Sequence, residues 1–422
     1  MLPIQSLLGV CAIVAIAWGL SERRDEVRWR SIALGLGLQF VLAVLLIKIP
    51  VMRDAFGVLN GAVVALNNAT RAGTAFAFGY VGGADAPFAF SGTGSTFILA
   101  FQSLPLILII SALSALLFHW NVIPPVVRAF AWVLRRTVGV DGPAGVATTM
   151  NIFVGMVEAP LVIRPYLVAE SRSGLFVIMT AGMAMVAGTV MVLYATMLHG
   201  VIPNPLGQLL TASILAAPAT VVVAFLMVPE DPALRAAGQD ATAIILTRHP
   251  GDNMMSVISR GTVDGAQLII NIIAMLIVLV ALVSLANTVI GHLPDVYGAP
   301  LTLQRMLGWV LAPLAWLIGI PWSEAPAAGA LLGTKTVLNE LIAYTDLSHL
   351  GPEVLSVRSR LIMTYALCGF ANFGSLGIMI GGMGAMVPER RAEIVALAPK
   401  TLVSGTLATC LSGAMVGLLT WT

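Results

Sequence analysis

Eight stretches of nearly uninterrupted apolar residues run through the chain, at roughly 2–20, 31–50, 95–118, 174–198, 206–228, 265–290, 361–387 and 399–420. Each predicts a membrane-spanning helix, because about twenty helical residues cover the ~30 Å hydrocarbon core. Residues 52–82 mix apolar positions with Ala, Gly, Asn, Arg53 and Arg71, which predicts an amphipathic helix lying along the interface. The stretch 229–260, opening Pro229-Glu230-Asp231-Pro232, is the most polar and predicts a solvent-exposed connection. Two segments, 122–168 and 303–344, hold short apolar runs broken by Gly, Pro and charge. They fit poorly as full spans and predict hairpins that enter the membrane and return.

Composition narrows the class. Charged residues are 10% of the 422, hydrophobic residues 58%, and mean hydropathy is +0.95. A soluble chain this apolar would lack the polar surface to stay dissolved. A net charge of +2 gives no reason to expect a nucleic-acid partner. Cys11, Cys368 and Cys410 lie in or beside apolar stretches, spaced for neither a disulfide framework nor a zinc site. The five histidines show no metal-ligand spacing, and Gly92-Thr-Gly-Ser95 lacks the strand–loop–helix context of a phosphate loop. Leu2–Leu20 has no basic leader and is long enough to span, so it reads as the first helix rather than a cleaved signal. Arg23, Arg24, Arg28, Arg30, Arg235, Arg248, Arg260, Arg390 and Arg391 fall on one side of eight spans. The positive-inside rule puts that side in the cytoplasm.

The two irregular segments resemble each other. Arg128-x3-Trp132-Val-Leu matches Arg305-x3-Trp309-Val-Leu, each run is followed by a Gly/Pro-rich break, and each segment ends on a glutamate, Glu158 or Glu340. The following helices match at Met179-Thr180 and Met363-Thr364. One copy would enter from the cytoplasm and the other from outside, an inverted repeat whose paired interruptions point to a binding site. A carboxylate at membrane depth is costly unless paired, hydrated or protonated. Pro160 removes a backbone donor beside Glu158, and Gly155 allows a tight turn. Gly369-Phe-Ala-Asn372-Phe-Gly-Ser375 sits inside the seventh span and predicts unwound backbone with exposed carbonyls. Glu340, Asn372 and Ser375 together suit vicinal hydroxyls, and Phe370 suits a ring. Structural roles compete: a Glu paired with an Arg, or Asn and Ser bonding between helices.

With these motifs the chain resembles the concentrative nucleoside transporters of the bacterial type. Phe97–Ala112 (FILAFQSLPLILIISA), Asn151–Tyr166 (NIFVGMVEAPLVIRPY), Thr336–Tyr344 (TVLNELIAY) and Cys368–Gly384 (CGFANFGSLGIMIGGMG) carry the likeness, which runs from about Gly92 to the C-terminus. Residues 1–91 fit by layout. The resemblance implies an all-α membrane protein with eight transmembrane helices, an interfacial helix and two re-entrant helical hairpins in an inverted repeat. It assigns 1–91 to two helices and the interfacial helix, and 92–121 to the third helix. The first hairpin with helices four and five takes 122–228. The polar connection and helix six take 229–302, and the second hairpin with helices seven and eight takes 303–422. It implies a homotrimer in the cytoplasmic membrane, an elevator-type motion and no enzymatic activity. Glu340, Asn372, Ser375 and Phe370 map onto the ribose half of the family's site.

The first hairpin departs from the family. Where relatives read the nucleobase with Gly-Gln-Thr-Glu, this chain has Gly155-Met156-Val157-Glu158. The family's sodium ligands map to Asn151, Val154, Met185 and Val186, with Met185 replacing a hydroxyl ligand. Sodium favours oxygen ligands, as hard cations do, so proton coupling through Glu158 or Glu340 stands beside sodium coupling. A carrier for another polar solute on the same scaffold is the alternative function. A membrane-embedded enzyme would need a nucleophile–base pair or metal cluster that the motifs do not supply.

Losing the two neutral polar groups predicts an altered base preference with greater tolerance of purines, each lost hydrogen bond counting for about 1 kcal/mol. Competition of uridine, adenosine and guanosine for uptake measures it, and a uridine preference as strict as that of Gln-Thr relatives would overturn it.

Overall fold

The computed structural model describes residues 2–88, 97–230, 253–296, 298 and 300–420. Gly92–Ser95 and most of the polar connection lie outside the described residues. The structure is all-helical. The first part holds α1 (Leu2–Gly19), α2 (Trp29–Lys48) and α3 (Pro50–Phe78), and a π-helical turn at Leu99–Ser103 leads into α4 (Leu106–His119). The middle holds α5 (Ile123–Thr137), α6 (Gly142–Met150), the short α7 (Glu158–Val162) and α8 (Arg164–Leu167), then α9 (Arg172–Ala184), α10 (Gly188–Met197) and α11 (Pro205–Met227). The last part holds α12 (Met254–Ile290), α13 (Leu303–Leu317), α14 (Ala325–Val337), α15 (Glu340–His349), α16 (Val357–Leu367), α17 (Phe373–Met386) and α18 (Arg391–Leu419).

Every apolar stretch read from the sequence is largely helical where described, and among the described residues six helical stretches are long and apolar enough to cross a membrane, with α1 and α17 as shorter apolar helices. The sixth stretch begins earlier than expected, at Met254. Its start is set by an Asn253–Ser256 capping box rather than by hydropathy. Two stretches are broken. Between α9 and α10 the backbone turns extended at Met185 (φ −125°, ψ 162°). Between α16 and α17 the interruption runs over Cys368–Asn372, and Asn372 caps the next helix by accepting from the Ser375 N–H at 2.7 Å.

Packing separates inner from outer helices. The helical stretches 172–197 and 205–227 are 83% and 89% buried along their apolar windows, whereas α12 is 6% buried. The centre is formed by α9, α11, α16 and α18 against one another. Helices α5 and α6 pack as one pair, α13 and α14 as another. Small residues set the close approaches, as expected where lipid supplies no hydrophobic drive between helices. On α12, Gly261 and Gly265 face α4, where an added Cβ would lie 2.9 Å from Ala112 Cα and 3.0 Å from Ser111 Cβ. The outward face of α12 shows Ile270, Ile277, Leu285 and Val289, an apolar surface suited to lipid.

One end of the bundle is tied by charge. Glu22 accepts from Arg172 (2.8 Å) and Lys400 (2.6 Å), Glu393 pairs with Arg172 and Arg390, and Arg28 pairs with Glu230. Of the basic residues assigned to one side by the sequence, Arg28 and Arg390 take part in these pairs, and Arg235 and Arg248 lie outside the described residues. Arg172, and after it Lys400, holds the Glu22 carboxyl down at about 2, against the opposing pull of burial. Glu170 behaves oppositely: burial, and next the neighbouring Asp141, push its carboxyl up to about 10. A raised folded value means that the proton on Glu170 favours the fold fully below pH 4.5, and that this contribution is lost as pH rises toward about 10. Glu170→Gln, which keeps a neutral side chain, is therefore expected to gain thermal stability relative to the wild type as pH goes from 5 to 9. Parallel melting curves in detergent across that range would contradict this.

Candidate functional site

Asn339 has extended backbone (φ −169°, ψ 174°) and caps α15 by accepting from the Ile342 N–H at 3.0 Å. This places Glu340 as the first residue of α15, where the helix dipole favours a carboxylate. Glu340 is 5% exposed. Its Oε1 accepts from the Tyr194 hydroxyl at 2.6 Å and its Oε2 from Asn372 Nδ2 at 3.0 Å. Asn372 is oriented by both ends of its amide, since Oδ1 is taken by the Ser375 N–H. Three elements thus converge on one carboxyl: α10 through Tyr194, α15 through Glu340, and the α16–α17 interruption through Asn372. Tyr194 is held in turn by Tyr344, with ring centroids 5.0 Å apart, and Tyr344 donates to the Thr364 carbonyl at 2.8 Å. Ser375 is buried beside Asn372, and half-buried Phe370 lies within the interruption.

The turn between α6 and α7 carries the other predicted residues. Met156 is buried and stands on α9, where a Cβ added at Gly182 would lie 3.0 Å from Met156 Cβ. Val157 stands on α17, where a Cβ at Gly382 would lie 2.9 Å from its Cγ2. Both side chains are therefore apolar contacts onto glycines of the broken helices, and α17 carries both Ser375 and the seat of Val157. Glu158 departs from the expectation of a carboxyl buried in apolar surroundings. It is exposed, because the irregular turn delivers it to the start of the short α7 rather than between helices. Its carboxylate lies over Gly155, where a Cβ would be 2.1 Å from Oε2. The two glutamates are thus unlike in setting.

The predicted cation residues gather around the first interruption. With its amide oriented to satisfy both ends, buried Asn151 donates to the Gly155 carbonyl (3.1 Å) and accepts from the Gly182 N–H (3.3 Å). The Gly188 N–H donates to the Phe153 carbonyl at 3.2 Å. Val154 and the Met185–Val186 backbone flank this contact. Extended backbone at Met185 takes its carbonyl out of the helical ladder, so backbone oxygen is what this place offers a cation. Tyr194 was not singled out from the sequence, although a phenol in the apolar run Gly188–Met197 needs a partner at membrane depth. Nor was Lys335 singled out.

Comparison with known proteins agrees with this fold. Residues 208–417 match the family model "Na+ dependent nucleoside transporter C-terminus", residues 8–81 its N-terminal counterpart, and residues 100–200 a "Nucleoside recognition" model. The chain is 37% identical to the uncharacterized transporter YutK of Bacillus subtilis, covering 98% of each. It is 32% identical to the human sodium/nucleoside cotransporter 1, covering 98% of this chain and 63% of that longer relative. CNTnw in an inward-facing substrate-bound state superposes with a TM-score of 0.88 at 36% identity, covering 99% and 98% of the two chains. A variant of CNTnw in an outward-facing state gives 0.89 at 35% identity, with the same coverage. With likeness over nearly its whole length in sequence and in fold, the chain belongs to the family of Na+-dependent, concentrative nucleoside transporters.

Proposed function

We propose that this chain is a sodium-coupled symporter that imports nucleosides across the cytoplasmic membrane. The observation that carries the proposal is the buried Glu340 carboxyl, bonded by Tyr194 and Asn372 at a helix interruption. Lipid cannot satisfy such a constellation, and a polyhydroxylated ligand can exchange into it. Glu340, Asn372 and Ser375 bind the ribose, with Phe370 against the ring. Gly155, Met156, Val157 and Glu158 face the base. Asn151 with the carbonyls of Val154, Met185 and Val186 takes the sodium ion, which travels as cargo.

The chain has eight spans, at α1, α2, α4, α9–α10, α11, α12, α16–α17 and α18, with α3 along the interface. The pairs α5–α6 and α13–α14 are the re-entrant hairpins of an inverted repeat. This reading is supported by the shared order of hairpin, broken helix and long helix in 122–228 and 303–422. Residues 1–91 and 92–121, with α12 in 229–302, form the scaffold of a homotrimer, and the hairpins move against it with the broken helices. Solved relatives in inward- and outward-facing states support alternating access. Proton coupling is the second reading, favoured by the hydroxyl missing at Met185.

Two measurements test this. In proteoliposomes, an inward sodium gradient is expected to drive nucleoside accumulation, whereas a pH gradient in potassium is not; the reverse result transfers the coupling to protons. In purified protein, Asn372→Ala loses a hydrogen bond to Glu340 and a helix cap. It is expected to weaken nucleoside binding by roughly tenfold to a hundredfold, and Tyr194→Phe by roughly tenfold. Wild-type affinity in both variants would remove Glu340 and its partners from the site.

A further inference from the structure

Lys335 carries a charge that neither the nucleoside set nor the sodium set uses. It lies in α14 and is fully buried. Its Nζ donates to the Ala366 carbonyl at 2.9 Å and to Thr409 Oγ1 at 3.0 Å. Ala366 is in the last turn of α16, where carbonyls lose their intrahelical partners and the dipole is negative. Both acceptors are neutral, so the charge is balanced through space. The ionisable neighbours are Glu340, Cys368 and Cys410, of which Glu340 is the carboxyl.

The first half has a counterpart. The sequence offset that relates Met179-Thr180 to Met363-Thr364 also relates Asn151 to Lys335 and Gly182 to Ala366. Asn151 reaches backbone at Gly182, in the last turn of α9. Lys335 reaches backbone at Ala366, in the last turn of α16. Each hairpin therefore sends one side chain to the end of its broken helix, with a neutral amide in one half and an ammonium in the other.

We propose that Lys335 is a tethered cation, placed at the end of α16 where a sodium ion is taken at the end of α9. The half of the site that holds Glu340 and Asn372 then carries its own positive charge, and only the first half needs an ion from solution. This rests on the reading of Asn151 as a sodium residue. It implies a latent cation site: without the ammonium, the Ala366 carbonyl and the Thr409 hydroxyl are open to a cation with oxygen preference.

The test compares the wild type with Lys335→Met and Lys335→Gln, measuring Kd for uridine or adenosine and Tm in sodium and in potassium. Both neutral variants are expected to bind nucleoside roughly tenfold more weakly in potassium, the cost of removing a charged hydrogen-bonding group. Sodium should then restore Lys335→Gln in Kd and Tm, with a steeper sodium dependence than the wild type. If Lys335→Gln does not fold, sodium-specific recovery of the Lys335→Met Tm is the reading. Wild-type affinity of the neutral variants in potassium, or variants equally impaired or unfolded in both cations, overturns the proposal. Wild-type binding that ignores sodium would instead remove the Asn151 reading. The comparison of variants with wild type in potassium stays decisive in that case.

Discussion

A helix that stops inside a bilayer leaves peptide groups that lipid cannot satisfy. Two apolar helical stretches of this protein are interrupted, over Met185–Ala187 and over Cys368–Asn372. The surrounding structure supplies partners for both. Gly188 bonds the Phe153 carbonyl, Asn151 bonds Gly155 and Gly182, Asn372 caps α17, and Lys335 takes the Ala366 carbonyl. These partners come from the two helical hairpins or from the interruption itself. On the proposed reading the same groups also form the ligand site, so that stability and recognition would share residues.

That sharing explains the arrangement of the rest. The interruptions need close, rigid walls, and α9, α11, α16 and α18, all largely buried, supply them. Glycines allow the approach: Gly182 under Met156, Gly382 under Val157, Gly405 against Met183. The outer helices have looser demands, and much of the exposed surface of α12 is apolar. A cluster of ion pairs among Glu22, Arg172, Glu393, Arg390 and Lys400 connects the first loop to the starts of α9 and α18.

The two hairpins meet different physical conditions. In the second, the helix N-terminus, a tyrosine and an asparagine surround Glu340, and burial makes each of those bonds strong. In the first, Met156 and Val157 pack against glycines, and Glu158 is exposed. The surroundings of Glu340 are thus organised by hydrogen bonds and those of Met156 and Val157 by shape.

Hydropathy alone located every apolar helix, because a bilayer demands about twenty apolar residues wherever a helix crosses it. The glutamates, the broken seventh stretch and the Asn372–Ser375 pair were also legible, since polar residues at membrane depth stand out against apolar neighbours. Helix starts such as Met254 were less so, because a capping box rather than hydropathy sets them. Tertiary structure decided what spacing could not. It brought Tyr194 to Glu340 from a helix nearly 150 residues away in sequence. It exposed Glu158 while burying Glu340, and it aimed Lys335 at the end of α16. Partnership across the core depends on which helices pack together, and a local pattern of polar and apolar residues does not encode that.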